Sequence, residues 1–376
     1  MLRNICLTIT SILVTLVAVE LLLRGLGFQQ FYPSAQSNDG IIWDSEVGYR
    51  LKPNSSHISV TGCQNFLSKS ANTSSKYKVE TNELGLRDLY SQNFDNPGVV
   101  AIGDSTTYGH GVESADTWVE ILQEKLRINV INAGVWGYGV NQYLPTLKRL
   151  KEQGVPIKIV LYGMSWNDVN SGSVPADSSV FKDGAFINPY TTKETGSLTE
   201  LKSTLSDSVQ SLILYKETKA ATRKLFAKLG IKVNTKEKKR FDLSAEKTRE
   251  VLLNINTFLK TMDAVLVVVA IAEPNFTMDH LCEIYSKLHP FSRNYTAELF
   301  KGFAERNDIS FSDATNALIS EYRSGNSKFE SIAIPCDGHY NRNGNQVIAD
   351  VFFELINKDK LLSQVIHSNK IKKRTR

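Results

Sequence analysis

The feature that most constrains this chain is a repeated alternation of short apolar runs with longer segments of helical period. The runs at 99–102, 129–132, 157–162 and 264–270 are built largely from Val, Ile, Leu and Ala. Runs this short and this apolar read as strands, the first of them buried. Between them, 116–127 and 140–153 have helical spacing, the first with Asp116 as a cap ahead of Trp118, Ile121 and Leu122. Segments 244–262, 294–306 and 344–357 continue the helical pattern, with a further strand at 309–311. Strands alternating with helices of about a dozen residues predict βαβ units. The expected fold class is therefore α/β, with a doubly wound, mostly parallel sheet. No internal repeat is evident.

The chain has 376 residues, 41% hydrophobic and 22% charged, enough for one large core with extensions. Residues 5–23 are almost wholly apolar, broken by a few Thr and Ser and by Glu20, with Arg3 before them and Arg24 after. At about 1.5 Å per residue, such a helix nearly matches a hydrocarbon core of roughly 30 Å. The run is long for a signal peptide and no small-residue cleavage site follows it closely, so an uncleaved anchor is expected. The expected topology is single-pass in the cell membrane, with the N-terminus inside and the main domain extracytoplasmic. The chain is expected to comprise a cytoplasmic end and transmembrane anchor (1–27), an irregular, partly β lead-in (28–96), a first core half (97–170), an insertion (171–243), a second core half (244–359) and a basic tail (360–376).

Net charge is +5, with Lys and Arg crowded into 216–249 and 370–376. Such runs read as solvated faces or frayed ends, with contact to anionic lipid or an acidic polymer as the alternative. Zinc-finger spacing and an RNA-binding aromatic signature are both missing, which argues against a nucleic-acid partner. Cys6, Cys63, Cys282 and Cys336 include no CxxC pair. No metal or cofactor is therefore expected, while one disulfide among the last three stays open. Gly134 to Gly139 has the wrong spacing for dinucleotide binding.

Four polar clusters fall just past expected strands or just before the last helix: Asp104-Ser105, residues 132–139, Asn167-Asp168 and Asp337-Gly338-His339. Ligands of open parallel sheets bind outside the carboxyl ends of the strands, so this topology would gather all four at one edge. Their chemistry suits acyl transfer. A serine hydroxyl needs an adjacent base, the base an orienting group, and the developing oxyanion preorganised donors. Ser105 supplies the hydroxyl, His339 the base, and Asp337 lies near enough to orient it. Gly137 can offer an unobstructed N–H and Asn167 a side-chain amide, with Asp104 and Asp168 in support. His110 reads as a loop histidine, with a substrate contact as the alternative. Trp136 and Tyr138 either line an acyl or sugar site or are buried against the sheet.

Gly103-Asp104-Ser105, the 132–137 segment, Asn167-Asp168 and the Asp337/His339 pair resemble, in order, the blocks of the SGNH (GDSL-type) hydrolases. Gly48-Tyr-Arg-Leu-Lys-Pro53 and Asn82-Glu-Leu-Gly-Leu-Arg87 look like bacterial members with an N-terminal anchor. The resemblance covers roughly 40–170 and 245–358. It implies a flavodoxin-like sheet and Ser105 as nucleophile. It also implies an oxyanion hole from the Ser105 and Gly137 N–H groups and the Asn167 amide, with His339 as base and Asp337 as its partner. Two departures are visible: Thr106 replaces the Leu of the GDSL name, and the usual Asp-x-x-His is shortened to Asp-x-His. The function implied is a serine esterase or O-acyltransferase on an O-acylated envelope glycan. A lipid-ester hydrolase and a non-catalytic glycan-binding or scaffold module are the alternatives.

Overall fold

A computed structural model describes residues 11, 14–15, 17–18, 40–61, 75–89, 95–172, 176, 180–182, 185–187, 235–272, 295–325, 331–334 and 339–362. Two antiparallel hairpins come first: β1 (Ile41–Asp44) with β2 (Gly48–Leu51), and β3 (Ser56–Thr61) with β4 (Ser75–Glu80). β5 (Asp95–Gly103) leads into α1 (Ser105–Tyr108) and α2 (Trp118–Leu126), then β6 (Ile128–Asn132) and α3 (Tyr143–Glu152). β7 (Ile159–Met164) precedes α4 (Trp166–Ser171) and a small hairpin, β8 (Val180–Lys182) with β9 (Ala185–Ile187). After α5 (Thr235–Lys260) come β10 (Val265–Ala270), α6 (Tyr295–Arg306), β11 (Ser310–Asp313), α7 (Thr315–Ser324) and α8 (Arg342–Lys358).

The central sheet is five-stranded and parallel throughout, in the order β6-β5-β7-β10-β11. Counted along the chain this is 2-1-3-4-5, the flavodoxin-like order, whose direction reverses between the first and third strands. The resulting crevice lies at the carboxyl ends of β5 and β7.

Alternation along each strand divides the core in two. Val100 and Ile102 of β5, Val160 and Tyr162 of β7 and Val268 of β10 pack with Leu147 of α3, Ile255 of α5 and Phe300 of α6. Val99, Ala101, Ile159, Leu161 and Val267 face the other way, against Trp118 of α2, Leu318 of α7 and Phe352 of α8. Burial on both faces explains why the inner strands β7 and β10 and the end of β5 are apolar at successive positions. The lead-in hairpins join the first of these layers through Tyr49, Leu51, Tyr77 and Val79. They carry core side chains of their own.

Local details differ from the sequence reading. Thr117, not Asp116, caps α2, its hydroxyl accepting from Glu120 N at 3.3 Å. Asp116 sits in a preceding 3-10 turn, where it pairs with Arg342 at 2.9 Å. The segment expected as one helix over 140–153 splits into a 3-10 turn, Val140–Gln142, and α3. Pro145 then falls in the first turn of α3, where a missing N–H is tolerated. α5 starts at Thr235 rather than 244, because Lys, Glu and Arg are good helix formers and extend it backwards. α7 is an addition to the helices expected from the sequence, with Thr315, Leu318, Ile319 and Tyr322 on its buried face.

Of the expected anchor, residues 11, 14–15 and 17–18 are helical, and the rest lies outside the described residues. Among the described residues, no helix is long and apolar enough to cross a membrane. All four cysteines, Asp337, residues 188–234 of the expected insertion, and the tail beyond 362 also lie outside them.

Candidate active site

β5 ends in Gly103, where an added Cβ would stand 2.1 Å from Thr107 Oγ1. Only glycine lets the strand turn into α1 this tightly. Asp104 caps that helix, its Oδ1 accepting from Thr106 N at 2.9 Å. Ser105 is the first residue of α1, and its Oγ lies 2.7 Å from His339 Nε2. His339 approaches from the segment ahead of α8. Its carbonyl accepts from Ile334 N at 2.8 Å, and Asn341 N donates to the Ile332 carbonyl at 3.0 Å. Asn341 then caps α8, accepting from Asn343 N and Gly344 N. The bonds to Ile334 and Ile332 bracket Tyr340 and hold the backbone that follows the histidine against residues 332–334. Ser105 and His339, 234 positions apart, meet at the mouth of the crevice.

Asn167 lies on α4 beyond β7, with its side-chain amide donating to Asp104 Oδ2 at 3.0 Å. A carboxamide has two N–H groups, and Asp104 takes one of them. Gly137 lies in the turn after β6 with φ of +74°. That turn is tied down twice. Asn132, wholly buried, accepts from Gly134 N at 3.0 Å and donates to the Thr107 carbonyl at 3.1 Å, joining the turn to α1. Tyr49 of β2 donates to the Trp136 carbonyl at 2.5 Å, and Tyr138 donates to the Tyr49 carbonyl at 2.5 Å. Gln142 links the far end, accepting from Gly139 N at 2.7 Å and donating to the Val47 carbonyl at 2.8 Å.

Asp168 is fully buried, accepting from the Tyr143 hydroxyl at 2.5 Å and from Ser165 N at 2.9 Å. Burial, and secondarily the nearby Asp104 carboxylate, push its carboxyl up to about 8. Its bonds join α3 to the start of α4. The support it offers Asn167 is therefore structural. Trp136 is half-buried beside Gly137, and Tyr138 is buried.

Three further residues contribute here. Tyr49 props the Gly137 turn. Arg87, wholly buried, donates to the carbonyls of Tyr108 (2.9 Å), Gly109 (2.6 Å) and Val112 (2.5 Å), bracing the segment that follows α1. Burial lowers its pKa. His110, read as a loop histidine, is buried with its ring 4.5 Å from that of His339. Among the described residues, no group of His, Cys, Asp and Glu side chains is placed to hold a metal ion.

No family model and no curated protein matches the chain. Solved structures do. An acetyl xylan esterase, AlAXEase, is 14% identical, with 69% of this chain and 99% of that one covered at a TM-score of 0.40. LAE5, an alpha/beta hydrolase enzyme from the metagenome of Lake Arreo, is also 14% identical, covering 71% and 98% at 0.40. Axe2, an acetylxylan esterase from Geobacillus stearothermophilus, is 14% identical, covering 71% and 96% at 0.37.

Proposed function

We propose that the chain is a serine esterase of the SGNH (GDSL) kind, working through an acyl-enzyme on Ser105. The observation that carries this reading is the 2.7 Å contact between Ser105 Oγ and His339 Nε2 at the switch point of a parallel sheet. In the first half-reaction His339 takes the Ser105 proton as the oxygen attacks an ester carbonyl. The oxyanion is received by the N–H groups of Ser105 and Gly137 and by the Asn167 amide. His339 then protonates the departing alcohol. In the second half-reaction water, deprotonated by His339, attacks the acyl-enzyme, and His339 passes that proton to the departing Ser105 Oγ as the acid is released. A sugar hydroxyl in place of that water makes the same enzyme an O-acyltransferase. Asp337, two positions before His339 in sequence, takes the role of orienting the imidazole.

The substrate we assign is an O-acylated glycan of the cell envelope, with the chain held by residues 5–23 and its main domain extracytoplasmic. The apolar run supports the location, and half-buried Trp136 beside Gly137 offers an aromatic face to a sugar ring. The deciding experiment is labelling by a fluorophosphonate. Wild type should be modified at Ser105 and Ser105→Ala should not; equal labelling of the two would overturn the reading. Acetate release from acetylated glycan, with none from a lysophospholipid, separates the assigned substrate from a lipid ester. Protease applied to the outer face of the inner membrane should digest the domain and spare cytoplasmic markers.

A further inference from the structure

His110 stands outside the Ser105–His339 pair yet is built against both members. Its backbone N donates to the Ser105 carbonyl at 2.9 Å, so the nucleophile's own peptide anchors it. Its ring centroid lies 4.5 Å from that of His339, with the planes inclined by 50°. The far side of the ring is gripped by the second lead-in hairpin. His110 Nε2 is 3.3 Å from Thr61 Oγ1, and Nδ1 is 3.1 Å from the Tyr77 hydroxyl. Both hydroxyl residues are buried, at the end of β3 and in β4. The packing leaves no slack: at Gly111, with φ of +85°, a Cβ would fall 2.2 Å from Ile334 Cδ1 and 3.0 Å from Thr61 Cγ2.

We propose that His110 is a positioning residue: clamped by Thr61 and Tyr77, its ring is the wall that turns the His339 imidazole toward Ser105. The inference rests on the esterase reading, and it makes the lead-in hairpin part of the catalytic apparatus. The physical reason is torsional. The bond that sets an imidazole's tilt has a broad well, so a fixed neighbouring ring narrows the orientations His339 can sample. Hydroxyls both donate and accept, so Thr61 and Tyr77 can hold His110 in either neutral tautomer.

The test combines kinetics on a short-chain aryl ester with the imidazole ¹⁵N shifts of His339, which need no substrate. His110→Ala should lower kcat roughly 10- to 100-fold, the scale of a misplaced catalytic group, with KM within about twofold. His110→Phe, which keeps a ring against His339, should recover part of that loss. Tyr77→Phe should lower kcat alone but add nothing in the His110→Ala background, because it acts through His110. The His339 shifts should move in both single variants. Unchanged shifts and kcat in folded His110→Ala would overturn the proposal, and so would fully additive losses. Should His110→Ala fail to fold, Tyr77→Phe decides, and unmoved His339 shifts there count against it. Should wild type neither hydrolyse esters nor take up the fluorophosphonate, the esterase reading falls by itself, and the shifts still judge the positioning.

Discussion

Asn167 Nδ2 donates to Asp104 Oδ2 at 3.0 Å, which ties the start of α4 to the end of β5 across the switch point of the sheet. The same oxygen accepts from Ser165 Oγ at 2.7 Å, while the other carboxylate oxygen caps α1 through Thr106 N. One buried side chain thus sets the distance between the serine at 105 and the amide at 167. That gives the residue before the proposed nucleophile a physical task of its own.

Removing the amide tests this arrangement. Asn167→Ala should lower kcat by roughly 10²–10³ with little change in KM, the usual loss for one oxyanion donor. Asp104→Ala should reproduce much of that loss and add little in the Asn167→Ala background. A pure KM effect in Asn167→Ala would make the residue a binding contact instead.

The Gly137 turn offers a steric test. An alanine there would place its Cβ 2.6 Å from the Tyr49 hydroxyl at a φ of +74°. Gly137→Ala should therefore cut kcat, and adding Tyr49→Phe, which removes the oxygen in the way, should restore part of it. Tyr49→Phe alone loses the bond to the Trp136 carbonyl, worth about 1 kcal/mol of stability. No recovery in the double variant would assign the loss to the left-handed backbone at 137 rather than to the clash with the Tyr49 hydroxyl.

Asp168 makes stability depend on pH. Its carboxyl rises from the ordinary 3.8 to about 8 in the fold, chiefly through burial. The native state then holds a proton that the unfolded chain has already released. Its contribution is fully present below about pH 4 and is lost as pH climbs toward 8. Wild type should melt lower at pH 8.5 than at pH 5, and Asp168→Asn should narrow that gap. An identical pH dependence in the variant would rule Asp168 out as the source.

The second core layer can be probed at Phe352, which stacks on Trp118 with centroids 4.3 Å apart and planes 11° from parallel. Both are fully buried. Phe352→Ala should cost about 3–5 kcal/mol, read from the denaturant midpoint. A loss under about 1 kcal/mol would mean that α2 and α8 close over the gap.

What the sequence determined by itself is the local chemistry. Continuous Val and Ile runs require strands covered on both faces, and helical spacing between them requires crossovers, so a parallel α/β sheet was legible before any coordinates. So were Ser105 and His339 as a hydroxyl and a base suited to acyl transfer, and the fold brings those two together. Tertiary structure decided the rest. The order β6-β5-β7-β10-β11 comes from how whole layers pack, which no short window records. Thr117 rather than Asp116 caps α2 because residues 114–116 close a 3-10 turn first, leaving Thr117 as the residue before the helix. The tasks of Tyr49, Arg87 and His110 were not legible in sequence because their partners, the Trp136 carbonyl, the Tyr108 carbonyl and the His339 ring, are reached only through the fold. Periodicity reports which face of a segment avoids water; it carries no information about which distant segment covers that face.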